Sequence, residues 1–334
     1  MKAMVLHEQA DITEKPLQLE DLPDPEPGPG EVRVRVRACG VCHTDLHIAE
    51  GDLDLKKQPI IPGHEIIGEV SARGKGAERF TVGDRVGIAW LHSTPEDCEF
   101  RRRGLENLCP DARFTGWDVD GGYAEYTVVP EDFAYPVPDE IDDAHAAPLM
   151  CAGIIGYRAL RIAHAEDAPT LGLVGFGASA HIAIQIANHW GCEVYVFSHT
   201  RLHRDFGLEM GAVWAGEVGD DPGVRLRSAI IFAPVGDLIP PMLEVLERGG
   251  QLVCAGIHMS PIPRFEYDLI YGERVLRSVM NATREDGEGL MKVAGEVPLE
   301  TTVTTFEMNE ANEALRQVKD SDLAGAAVLD LAGS

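Results

Sequence analysis

Four apolar runs in the second half of the chain constrain its fold more than any other feature. They read L-G-L-V-G (171–175), V-Y-V-F (194–197), A-I-I-F-A (229–233) and Q-L-V-C-A-G (251–256). Each has the length of a strand and is apolar but for the opening Gln251 of the last, as a strand covered by helices on both faces requires. Helical periodicity fills the intervals, at 180–190 and 239–247. Buried strands alternating with helices predict a parallel, doubly wound α/β sheet. The first 150 residues read otherwise. V-R-V-R-V-R (32–37) alternates strictly, the mark of a strand with one buried face. Before it, P-D-P-E-P-G-P-G (23–30) excludes both helix and inner strand. Further short strands are predicted at 66–70, 85–89 and 124–129. The tail adds a strand (301–306), a helix (309–318) and a last strand (326–331).

At 334 residues the chain suggests roughly two domains. It carries 29 basic and 55 acidic residues, a net charge of −26. That balance argues against a nucleic-acid surface, which needs clustered Lys and Arg, and against an anionic membrane surface. No run reaches the roughly 18 apolar residues of a membrane span, and M-K-A-M-V-L-H-E-Q-A-D-I-T offers no apolar signal core. Seven cysteines in irregular spacing point to metal binding or buried thiols, and so to a reducing cytoplasm. Strong acidity with only 7 lysines against 22 arginines fits a salt-rich (halophilic) cytoplasm; high genomic G+C content would also favour arginine.

Two constellations carry chemistry. The first is G-F-G-A-S-A (Gly175, Phe176, Gly177, Ala178, Ser179, Ala180), directly after a predicted strand and before a helix. Glycines at the first and third positions permit a tight turn and close approach of a pyrophosphate, which the helix N-terminus faces; the small Ala180 permits close helix–strand packing. At the end of the next strand an NAD site places an acidic residue. Here the chain reads F-S-H-T-R, with Ser198, His199, Thr200 and Arg201. Without a carboxylate to repel a 2′-phosphate, NADP(H) is expected to be favoured over NAD(H). Arg201 also reads as an ordinary solvated turn residue.

The second constellation is C-G-V-C-H-T-D (39–45), G-H-E (63–65) and Cys151. Two thiolates and an imidazole from separate loops leave a tetrahedral zinc one open position, as a catalytic site requires. Taken alone, C-x-x-C also suits a redox pair and His64 an ordinary buried histidine.

With C-G-V-C-H-T-D-L-H, P-G-H-E-I-I-G-E-V, G-D-R-V-G, G-G-Y-A-E-Y, P-L-M-C-A-G-I-I-G-Y and G-F-G-A-S-A-H, the chain resembles the zinc-dependent alcohol dehydrogenases of the medium-chain dehydrogenase/reductase superfamily over essentially its whole length. The resemblance implies a GroES-like β-rich catalytic domain (1–151 and 291–334) and a Rossmann domain (152–290). It implies zinc on Cys42, His64 and Cys151, with Cys39 nearby but not a ligand, Glu65 beside the metal and Asp45 orienting His64. Zinc would act as a Lewis acid on an alcohol or aldehyde substrate, with hydride exchanged with NAD(P)(H). Thr44 and His47 would relay the proton, His43 and Arg284 would contact cofactor phosphates, and Leu53 and Trp90 would wall the substrate pocket. The family's dimers and tetramers imply a homodimer or homotetramer. Polyol or sugar dehydrogenases share the superfamily, and a non-catalytic zinc- or nucleotide-binding relative is a rival of another class. One departure stands out. Many members carry a structural zinc on C-x-x-C-x-x-C-x7-C, and those places here hold Pro95, Cys98, Arg101 and Cys109. One zinc per chain is therefore expected, with Cys98 and Cys109 as free thiols.

Overall fold

A computed structural model describes residues 1–320, 323 and 325–332. The chain divides into two compact units, Met1–Cys151 with Thr283–Ser334, and Ala152–Ala282. The second junction falls before Arg284–Glu296 rather than at 291. That helix packs against the strand Ala134–Pro136 of the first unit, so it cannot be divided between domains.

In the first unit the V-R-V-R-V-R run lies in the strand Glu31–Val41. Val32, Val34 and Val36 are buried while Arg33, Arg35 and Arg37 are not. The alternation ends at Ala38, beyond which the strand is buried on both faces up to Val41. One edge of this strand pairs with Glu65–Arg73. The other edge is shared: Tyr126–Pro130 pairs with its first half and Ala326–Asp330 with its second. Arg85–Ile88, Ala134–Pro136 and Val303–Glu307 complete a seven-stranded sheet. Residues 22–28 lie outside helix and strand, as their prolines dictate.

The second unit is a six-stranded sheet, parallel throughout. Its order is Trp214–Gly216, Glu193–Phe197, Thr170–Val174, Leu226–Ile231, Leu246–Cys254 and Val275–Ser278. Numbered along the chain this is 3-2-1-4-5-6, the doubly wound order that places a nucleotide site at the carboxyl ends of the central strands. Leu171, Leu173, Val194, Val196, Ile230, Ile231, Leu252 and Val253 are all fully buried, which explains the unbroken apolar runs.

Candidate active site and nucleotide-binding loop

The strand Glu31–Val41 delivers its backbone straight into the helix His43–Glu50, with Cys42 at the junction as N-cap. Across the sheet Gly40 is registered against Glu65. A Cβ on residue 40 would stand 1.9 Å from Glu65 Oε2, so the missing side chain makes room for the carboxylate. Cys151 closes the first unit, just after the 3-10 turn Ala147–Met150. These segments bring one donor atom each of Cys42, His64, Glu65 and Cys151 to within 4.8 Å of one another. A tetrahedral zinc with bonds of 2.0–2.3 Å has ligands about 3.6 Å apart, so this cluster is the right size. Two sulfurs, an imidazole and a carboxylate also form a donor set suited to zinc. Among the described residues no other cluster of three or more such side chains occurs.

The electrostatics follow from burial. The Cys151 thiol donates to Cys42 and, with His64, holds the Cys42 thiol well below its usual pKa; the same bond and burial push Cys151 up. Burial opposes charge on His64, but the Asp45 carboxylate outweighs it and raises the imidazole pKa. Burial, then the Cys42 thiolate, raises Glu65. Asp45 is fully buried and organises the centre. Its Oδ1 accepts from Gly63 N–H (3.1 Å) and His64 Nδ1 (3.0 Å), and its Oδ2 from Cys42 N–H (2.9 Å). With Nδ1 directed to Asp45, Nε2 is the nitrogen that a metal would take once the ring is neutral. Cys39 stays outside the cluster and its thiol donates to the carbonyl of Gly40 at 3.6 Å.

Thr44 Oγ1 lies 3.8 Å from Cys42 Sγ. One turn further along the helix, His47 Nδ1 pairs with the exposed Asp52 at 2.7 Å. His43 is exposed at the helix start. Trp90 meets His64 edge-on, with ring centroids 4.9 Å apart. It also stacks on Phe114 (5.1 Å) and Trp117 (5.8 Å), two aromatics that sequence reasoning missed. They reach Trp90 because Leu91–Ser93 pairs with Arg113–Phe114. Trp117 Nε1 bonds the carbonyl of Asp54, tying this wall to the loop that carries Leu53.

Arg284 is placed differently from a simple phosphate contact. Its side chain bonds Glu106 (3.2 Å), approaches Asp132 (3.5 Å) and lies over the Phe133 ring, all within the first unit. In the segment between Pro95 and Cys109, Arg101 bonds the carbonyl of Thr94 (2.8 Å) and Asp132 (3.2 Å).

In the second unit Gly175 ends the first strand at φ +81°, where a Cβ would meet Ala233 at 3.0 Å, and Gly177 caps the helix Ala178–His189. Phe176 and Ala180 are buried; Gly177 and Ala178 are exposed, and Ser179 half-buried. Ser198 is buried, and its Oγ is without a partner among the described residues. His199 is exposed, and Thr200 caps the helix Arg201–Glu209 by accepting from His203 N–H. Arg201 projects outward, 3.4 Å from Asp205. Arg204, not singled out from sequence, donates to the carbonyl of Ser198 (2.7 Å) and to Glu217 (3.0 Å).

The chain is similar to known proteins over most of its length. The family profile of the alcohol dehydrogenase GroES-like domain matches residues 28–139. A "Probable alcohol dehydrogenase AdhA" of Mycobacterium tuberculosis is 48% identical over 298 residues, covering 87% of this chain and 86% of that protein. An alcohol dehydrogenase of Geobacillus stearothermophilus is 34% identical over 99% of both. Among solved structures, a cinnamyl alcohol dehydrogenase (SbCAD4) of Sorghum bicolor superposes with a TM-score of 0.87 at 29% identity, covering 100% of this chain and 98% of that one. A GroES-like domain joined to a doubly wound sheet defines the medium-chain dehydrogenase/reductases. The chain belongs to their zinc-type alcohol dehydrogenase family, and it is an oxidoreductase.

Proposed function

We propose that the protein interconverts alcohols with aldehydes or ketones at a single zinc held by Cys42, His64 and Cys151, with NADP(H) favoured as hydride carrier. The observation that carries this reading is the four-donor cluster of Cys42, His64, Glu65 and Cys151. Zinc bound there supplies Lewis acidity toward the substrate oxygen, and the nicotinamide supplies or takes the hydride. The protein's own residues do the rest. Asp45 orients His64. Thr44 Oγ1, close to the cluster, holds the substrate hydroxyl proton, and His47 with Asp52 is the outlet to solvent. Trp90, backed by Phe114 and Trp117, offers an aromatic wall beside His64. That wall and Leu53 favour apolar, including aromatic, alcohols over polyols, whose hydroxyls it could not satisfy.

The cofactor preference rests on Ser198 at the place of the usual acidic residue, with Arg201 and Arg204 on the helix that follows. The carboxylates of Glu217, bonded to Arg204, and Asp205, beside Arg201, pull the other way. Gly175, Phe176, Gly177, Ala178, Ser179 and Ala180 form the pyrophosphate turn at the start of the helix Ala178–His189. Loss of the structural zinc is supported by Arg101, whose guanidinium takes a ligand's place and fastens the lobe by hydrogen bonds instead. Seven free cysteines support a reducing, cytoplasmic setting, and no helix among the described residues is long and apolar enough to cross a membrane. Exposed Tyr267, Tyr271, Val275 and Met280, beside the unpaired edge strand Val275–Ser278, support a homodimer or homotetramer. Initial rates with NADPH and NADH against a panel of aldehydes, with elemental analysis of the dialysed protein, test the whole reading. The expected results are aldehyde reduction faster with NADPH and one zinc per chain. No turnover with zinc present would refute it, and two zincs would refute the lost structural site.

A further inference from the structure

The lobe that has lost its metal ligands keeps two thiols in an arrangement of its own. Cys98 and Cys109 are hydrogen-bonded to each other, Cys109 S–H donating to Cys98 sulfur. The backbone N–H groups of Phe100 and Arg101 also donate to Cys98, and that of Asp111 donates to Cys109. Both residues have nearly the same extended backbone, φ −62°, ψ 127° and φ −65°, ψ 126°. Each opens a tight turn, closed by Arg102 N–H to the carbonyl of Cys98 (3.1 Å) and Ala112 N–H to that of Cys109 (3.2 Å). Each cysteine is thus set at the start of its own backbone turn, with the two thiols within hydrogen-bonding reach of each other.

No third donor joins them, since among the described residues the only cluster of metal-ligating groups is the one at Cys42. Arg101, where a thiolate would otherwise stand, turns its guanidinium to Thr94 and Asp132. The accessibility of the pair is unequal: Cys98 is half-buried and Cys109 is only 6% exposed. Three consecutive arginines, Arg101 to Arg103, follow Cys98 and make its surroundings attractive to an anionic reagent. The helix that carries them, Glu99–Arg102, buries none of its residues, so little packing opposes the small movement from thiol contact to covalent bond.

We propose that Cys98 and Cys109 form a reversible thiol–disulfide switch, oxidised by low-molecular-weight disulfides, that locks this lobe where metal-bearing relatives use zinc. Cys98, as thiolate, attacks one sulfur of the reagent RSSR; a Cys98–S–S–R bond forms, the reagent's S–S bond breaks and RS⁻ leaves. Cys109, its proton passed to that RS⁻, then attacks the Cys98 sulfur and expels the second RS⁻, which takes up the proton of Cys98. Two protein thiols are oxidised to one disulfide and RSSR is reduced to two RSH. The lowered pKa of Cys98, caused first by the Cys109 donor and then by the two N–H groups, suits it to the attacking role, and burial suits Cys109 to the resolving one.

The test uses the zinc-loaded full-length enzyme and oxidised glutathione as the probe. Acid-quenched thiol titration under denaturing conditions should fall from seven per chain to five, and dithiothreitol should restore seven. Peptide mapping should place the new bond between residues 98 and 109. Cys109→Ser should stop at one glutathione adduct on Cys98, and Cys98→Ser should form neither adduct nor bond in this lobe. The melting temperature should rise on oxidation of the wild type and not of Cys98→Ser. Retention of seven thiols, a bond mapped to other cysteines, or a Cys109→Ser protein without an adduct on Cys98 would overturn the proposal.

Discussion

Asp45→Asn is the sharpest probe of how the donor cluster is built. The two residues are almost the same size, so packing is untouched and only the acceptors change. Asp45 is fully buried and receives three hydrogen bonds, two on Oδ1 and one on Oδ2. An asparagine has one acceptor oxygen, so one side must become a donor. With its oxygen toward His64 and Gly63 it keeps two bonds and opposes its NH₂ to Cys42 N–H. The reverse orientation loses two. The cheaper choice still strands one donor beside the metal cluster, costing about 1–3 kcal/mol. It also removes the charge that supports His64, an effect expected to cost about 10–100-fold in metal affinity. The assay is competition for zinc with a chromophoric chelator, together with thermal melting. Affinity and melting temperature both equal to wild type would refute the view that Asp45 positions His64 and Cys42 together.

Gly40→Ala pushes a methyl group into Glu65 Oε2 at 1.9 Å, so the carboxylate must leave the cluster; activity should fall at least tenfold while zinc, held by Cys42, His64 and Cys151, is retained on dialysis. His92 is buried, and burial pulls its pKa down to about 4, so its neutral form is favoured in the fold. The stability this gives is present above pH 6.5 and is lost as pH falls toward 4, because the unfolded chain takes up the proton first; at most about 3 kcal/mol is at stake. His92→Gln should flatten the acid limb of a stability–pH curve between pH 6.5 and 4, and an unchanged limb would exclude His92 as its source. Ser198→Asp should lower the NADPH-to-NADH ratio of kcat/KM by roughly tenfold, about 1.4 kcal/mol, and an unaltered ratio in initial-rate assays would remove Ser198 from the discriminating set. A net charge of −26 repels itself over a Debye length of about 30 Å at 0.01 M salt but only about 3 Å at 1 M. Melting temperature should therefore climb across that range of KCl; a flat profile in calorimetry leaves the salt-adapted reading without support.

What was legible in the sequence was what local patterning controls. V-R-V-R-V-R reported a half-buried strand because burial there alternates with the pleat, and L-G-L-V-G-F-G reported strand and turn because covered parallel strands carry no polar face. Two strands of the parallel sheet were not legible. Trp214–Gly216 has only three residues, and Val275–Ser278 is a largely exposed edge whose V-L-R-S carries no periodic signal. At the candidate site, the resemblance to zinc-dependent alcohol dehydrogenases implied Cys42, His64 and Cys151 as ligands but left Glu65 merely beside the metal. Its donor distance depends on the space left by Gly40 across the sheet, which is a tertiary fact. Phe114 and Trp117 were missed for the same reason, since a strand pairing brings them to Trp90. The bond of Arg284 to Glu106 was not legible either, since the two lie 178 residues apart in the chain.

The pairing of Ala326–Asp330 with the second half of Glu31–Val41 sets an order on biosynthesis. Leu329 stands opposite Cys39 and Val328 opposite Gly40, so the stretch of backbone that leads into Cys42 has an open edge until residue 330 has been made. A ribosome working at about 5–20 residues per second needs roughly 15–60 s to travel from residue 41 to that point. The continuous segment Ala152–Ala282 is finished well before then and contains all six of its own strands. The inserted nucleotide fold can therefore mature on the nascent chain while its host still waits for its last strand. In that interval Cys42 and His64 are present without their completed frame, open to stray metals and oxidants. Completion of the frame around these donors is in this sense a late event, gated by translation of the residues that close the sheet.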